Sequence, residues 1–87
     1  MIQRRVTVVN ALGLHARAAA RFVEVAGRFK SHVTVTCGHH TMDGKSILGV
    51  MSLGAERGTA IEISADGSDE QNAVTELCGL TERGFKE

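Results

Sequence analysis

The sequence predicts an α/β (α+β) fold, an open-faced sandwich in which a four-stranded sheet, antiparallel or mixed, carries three helices on one face in the order βαββαβα. Three observations lead there. Four short stretches alternate apolar with polar residues, three others repeat apolar residues at helical spacing, and turn formers such as Gly13, Gly38, Asp43-Gly44 and Gly54 separate them. At 87 residues the chain is expected to form one domain over 1–87, near the size where a single core is adequate.

Ile2 to Asn10 alternates around Val6 and Val8 and reads as the first strand. Gly13 breaks it, and the run Ala16 to Ala20 is nearly pure helix former. At roughly 100° per residue, Arg17, Arg21 and Glu24 share a narrow polar arc while Ala19, Phe22, Val23 and Ala26 face elsewhere, and Gly27 is the expected stop. Ser31 to Cys37 sets Val33, Val35 and Cys37 against polar neighbours as a half-buried strand, with His39 to Met42 as its short partner beyond Gly38. Ser46 is a good N-cap for a short helix from Ile47 to Leu53, which stops at Gly54. On that helix Val50 and Leu53 lie on one side and Ile47, Leu48 and Met51 on nearly the opposite one. A sheet surface buries only one of these arcs, so the second is expected to be an exposed docking patch. Thr59 to Ala65 is the last strand, Ser68 to Gln71 reads as a capping box, and a closing helix from about Asp69 to Arg83 buries Ala73, Val74, Leu77, Cys78 and Leu80 before Gly84.

Composition removes several functions. Ten basic and ten acidic residues balance to zero, and Trp and Tyr are absent, which argues against nucleic acid as a partner. No signal-peptide core and no run of membrane-spanning length is present, so no membrane contact and a cytoplasmic location are expected. Cys37 and Cys78 lack CxxC or His-ligand spacing and read as free buried thiols. His39 and His40 are strand neighbours that point to opposite faces and cannot easily chelate together, so no metal is expected.

The stretch Asn10 to Arg21 carries the candidate chemistry. His15 falls at or next to the N-cap of the first helix, where the leading backbone N–H groups lack intrahelical acceptors and carry about half a positive charge. Arg17 adds a second cation. Positive surroundings disfavour imidazolium, which keeps a ring lone pair free as a nucleophile. The same N–H groups and the Arg17 guanidinium could then hold the oxygens of a phosphoryl group on the ring. The competing reading of these residues is a binding module without chemistry, such as a metal or ligand sensor, in which His15 only caps a helix.

Gly13-Leu14-His15-Ala16-Arg17, together with Lys45-Ser46-Ile47-Leu48-Gly49-Val50-Met51-Ser52-Leu53, resembles the HPr family of phosphocarrier proteins of the bacterial sugar phosphotransferase system, over essentially the whole chain. The resemblance implies the antiparallel open-faced sandwich and a carrier that serves as a protein substrate and intermediate rather than a stand-alone enzyme. It implies that His15 becomes the phosphohistidine, with Nδ1 the phosphorylated atom in the family, and that Arg17 binds the phosphoryl oxygens. Enzyme I, charged from phosphoenolpyruvate, would be the donor and IIA components of sugar permeases the acceptors. Ser46 matches a serine phosphorylated by an ATP-dependent HPr kinase/phosphorylase, with a catabolite-control regulator as a further partner. Docking is expected over Ala16, Ala20, Ile47, Leu48 and Met51. Nothing resembles a Walker A loop or a kinase signature, and a monomer without cofactor is expected. The chain has Ala18 where many family members have proline, a change the first helical turn tolerates. A nitrogen-related or purely regulatory phosphocarrier would share these residues, whereas relatives lacking the active-site histidine are excluded by His15.

Overall fold

The alternation read in the sequence builds one sheet. In the computed structural model, which describes residues 1–86, the strands are β1 (Ile2–Thr7), β2 (His32–Cys37), β3 (His40–Asp43) and β4 (Ala60–Asp66). The helices are α1 (Ala16–Ala26), α2 (Ile47–Ser52) and α3 (Glu70–Glu82), giving the order βαββαβα. The last residue of the expected domain, Glu87, lies outside the described residues. Strand order is β1-β4-β2-β3 with every neighbouring pair antiparallel, so the mixed alternative falls away.

The register decides which side chains are buried. Val6 stands opposite Ile61, and Val35 stands between Ile63 and Met42, so one face of the sheet presents a row of apolar residues to the helices. α3 lies over β1 and β4, and α1 packs between α2 and α3. Phe22 of α1, Val50 of α2 and Val74 and Leu77 of α3 are fully buried above Val33, Val35, Ile61 and Ile63. Among the described residues no helix is long and apolar enough to cross a membrane.

Several details differ from the sequence reading. β1 ends at Thr7 rather than Asn10, because its partner β4 begins only at Ala60. Val8 instead bonds to the turn before it, its N–H donating to the Thr59 carbonyl (2.9 Å) and its own carbonyl accepting from Gly58 (2.7 Å). Gly27 does stop α1, yet in a right-handed conformation (φ −66°), and the helix tightens into i→i−3 bonds from Arg28 and Phe29. Cys37 is free but only half-buried, since it closes β2 opposite His40, next to the turn of the hairpin. Cys78 is free and fully buried, and that burial raises its thiol pKa above the ordinary value.

The capping box at Ser68 does not form. Asp69 occupies the cap of α3 without capping it; its carboxylate accepts the Lys30 N–H (2.8 Å), the Ser31 N–H (3.0 Å) and the Ser31 hydroxyl. The orphan donors of a distant loop outcompete those of its own helix. The side chain thereby ties the segment between α1 and β2 to the start of α3.

Candidate functional site

The site is built on the turn that leads from β1 into α1. Asn10 to Gly13 closes with the Gly13 N–H donating to the Asn10 carbonyl (3.1 Å), and the Asn10 side-chain amide donates to the Gly13 carbonyl (2.7 Å). Gly13 has φ +65°, and a Cβ there would stand 2.3 Å from the Ala55 carbonyl oxygen, so the position admits no side chain. Leu14 is then buried, with its N–H donating to that same carbonyl (2.9 Å). With the residue before it plugged into the core, His15 emerges at the surface in a fixed direction.

His15 is the N-cap of α1. Its backbone is extended (φ −73°, ψ 179°), its carbonyl accepts the Ala19 N–H (2.8 Å), and its ring Nδ1 accepts the Arg17 N–H at 3.2 Å. The ring is half-exposed and faces the first-turn amides. Helix geometry leaves the N–H groups of Ala16 and Ala18 without intrahelical acceptors at the same end. An open depression of about 410 Å³ adjoins the ring, lined by His15, Arg17 and Arg21 of one segment and by Gly84, Phe85 and Lys86 of another. Arg21 is paired with Glu24 one turn on, which confirms the shared polar arc. Among the described residues no acidic side chain lines the depression. The arrangement gathers a ring nitrogen, amide donors and cations around one open space, a combination suited to an anion.

The other sequence-predicted residues lie on the same side of the molecule, on α1 and the helix packed against it. Ala16 and Ala20 are exposed on α1. Ser46 caps α2, its Oγ accepting the Gly49 N–H at 3.0 Å. On α2, Ile47 and Leu48 are 43% and 80% exposed while Val50 is fully buried, as the helix plot required. Met51 departs in degree, being half-buried against the core rather than wholly outward, and Leu53 is likewise half-buried.

Three features were not read from the sequence. Leu12, 75% exposed, adds a large apolar side chain beside the His15 turn. Asn10 pins that turn. The chain after α3 returns to the site: Gly84 (φ +69°) and Phe85 form a Schellman motif, with Phe85 N–H donating to the Leu80 carbonyl (2.8 Å) and Gly84 N–H to the Thr81 carbonyl (3.0 Å). The apolar Phe85 directly after a helix-stopping glycine is the signal that could have revealed it.

This fold and turn define a class of small open-faced sandwiches that present a histidine at the head of their first helix. The family described as "PTS HPr component phosphorylation site" matches residues 2–83. The Phosphocarrier protein HPr of Neisseria meningitidis serogroup A is 44% identical over 87 residues, covering 100% of this chain and 98% of that protein. The crystal structure of HPr-C-His from Thermoanaerobacter tengcongensis superposes with a TM-score of 0.95 at 40% identity, covering 100% of this chain and 98% of that one. An HPr dimer from the same organism, also 40% identical, covers both chains completely with a TM-score of 0.79. The chain belongs to the HPr family, the phosphocarriers of the bacterial phosphotransferase system.

Proposed function

We propose that this phosphocarrier accepts its phosphoryl group on His15 Nδ1 from phosphorylated enzyme I and passes it to IIA components of sugar permeases. The observation that carries this reading is the Arg17 N–H on His15 Nδ1, at the mouth of a depression lined by the cations Arg17, Arg21 and Lys86. Nδ1 accepts that bond, so its lone pair is available and the ring proton sits on Nε2. As Nδ1 attacks, the N–P bond to His15 forms while the bond between phosphorus and the donor group breaks, and that group leaves with the electron pair. The Nε2 proton stays on the phosphorylated ring until solvent takes it. The Arg17 amide is released from Nδ1 and, with the Arg17 guanidinium and the neighbouring first-turn N–H groups, binds the phosphoryl oxygens. Transfer onward is the reverse step at the acceptor. The carrier works in the cytoplasm, where phosphoenolpyruvate charges its donor.

Incubation with enzyme I and phosphoenolpyruvate tests this. One acid-labile, base-stable phosphate is expected per chain, absent in His15→Ala, and Arg17→Ala should slow uptake by roughly ten- to a hundredfold, the cost of one charge-stabilising group. Uptake that survives His15→Ala would overturn the assignment.

Donor and acceptors dock over Ala16, Ala20, Ile47, Leu48 and Met51, and Ser46 is the regulatory phosphorylation site. A phosphate on Ser46 adds roughly two negative charges beside the apolar patch, at a helix start that itself tolerates them. Ser46→Asp should therefore fold normally and accept phosphate from enzyme I more slowly; an unchanged rate would remove the regulatory role.

A further inference from the structure

Resting on the reading of His15 as the phosphoryl acceptor, we propose that Lys86 binds the phosphoryl group on His15, with Phe85 as the positioning residue that delivers it. The depression beside His15 has two walls from distant parts of the chain, the first turns of α1 and the turn Gly84 to Lys86 that follows α3. Of its cations, Arg21 is engaged by Glu24, so a phosphoryl group there meets Arg17 from one wall and Lys86 from the other. Lysine suits that position, since its ammonium is a compact charge on a stem long enough to follow a group that arrives and departs.

The path that brings Lys86 there is fixed rather than loose. The Schellman bonds turn the chain at Gly84, and Phe85 follows with φ +66°, the only non-glycine residue described in the left-handed region. A side chain makes that conformation costly, and it persists because the ring is seated in the core at 7% exposure. Arg83 Nε–H also approaches the Lys86 carbonyl (3.5 Å), a second contact that holds the backbone at Lys86, which itself lines the depression. Without the Phe85 seat, the chain would have no reason to hold two successive left-handed residues, and Lys86 would leave the depression.

The test uses the full chain charged by enzyme I and phosphoenolpyruvate. It reads the equilibrium of transfer and the titration of the phosphoryl group by phosphorus NMR. Lys86→Gln should lower the transfer equilibrium about two- to fivefold, the scale of one exposed charge pair, and move the phosphoryl titration to higher pH. Lys86→Arg should restore both, and Lys30→Gln, which removes a cation away from the depression, should change neither. Phe85→Ala should reproduce the Lys86→Gln titration shift, and adding Lys86→Gln to it should shift little more. A wild-type equilibrium and titration in Lys86→Gln would overturn the proposal, as would a Phe85→Ala protein that melts earlier with an unmoved titration. Because Lys86→Gln changes an exposed side chain, its result does not depend on how Phe85→Ala folds. Failure of the unmodified chain to take phosphate on His15 is seen before any variant is made, and it removes the carrier reading itself.

Discussion

Asp69 shows how one carboxylate can hold two elements together and make stability depend on pH. Three donors from Lys30 and Ser31 converge on it, and the Ser31 hydroxyl above all holds its carboxyl below the ordinary value of 3.8. Glu70 is also held below its ordinary 4.5, first by the Gly67 N–H (3.1 Å) and then by the N-terminal ammonium of Met1 (3.3 Å). Both groups therefore take up protons at higher pH when the chain is unfolded than when it is folded. Their contribution to stability is complete above the unfolded values and disappears as pH falls through the folded ones. Melting temperature should be level from pH 7 to about 5 and should then decline, following that linkage. Asp69→Asn should melt several degrees lower at pH 7 and decline less steeply in acid. An unchanged acid slope in that variant would show that other groups set the pH dependence.

Elements were legible in the sequence wherever their cause is local. Period-two alternation at Val33 and Val35 and at Ile61 and Ile63 and the cap at Ser46 follow from neighbours within a few residues and appear as read, and the opposed arcs of α2 appear at Val50 against Ile47 and Leu48, with Met51 and Leu53 half-buried. His15 belongs with them, because a breaker followed by helix formers places a cap whatever the rest of the chain does. The misreadings share a different cause. Asp69 gave up its cap for donors 38 and 39 residues away, β1 was shortened by the start of a partner more than fifty positions on, and Phe85 reached the His15 wall from the far end of the chain. Gly13 separates the two kinds of information. Its turn was legible, but the reason no other residue fits, the Ala55 carbonyl against it, belongs to another element. Gly13→Ala and Gly38→Ala both place a side chain at positive φ, near +65° and +62°, yet nothing lies within 4 Å of a Cβ at Gly38. Gly38→Ala should cost about 1 kcal/mol by urea denaturation and Gly13→Ala at least about 3, since the clash adds to the same backbone term. Equal costs would mean that the His15 turn can shift away from Ala55, and its fixed direction would then be lost as an argument.

At the scale of the whole molecule, 87 residues cover only one face of a four-stranded sheet with three helices, and α2 is too short to be buried on both sides. Its two faces consequently have separate duties. Val50, fully buried, belongs to the core shared by α1 and the sheet, whereas Leu48, 80% exposed, contributes nothing to that core. Exposed apolar side chains on the helix packed against the His15 helix fit the docking surface proposed above. Paired substitutions separate the duties. Val50→Ala should cost about 2 kcal/mol of stability, for the lost methyl groups and the cavity they leave, while transfer by the folded fraction keeps its rate. Leu48→Asp should change stability by no more than about 0.5 kcal/mol and slow uptake from enzyme I by about tenfold or more, as the loss of one interface anchor does. The two measurements, urea denaturation and initial rate of phosphorylation, would then move in opposite pairs. Wild-type uptake by Leu48→Asp would place the docking surface elsewhere, with exposed Leu12 beside the His15 turn the next apolar side chain to substitute.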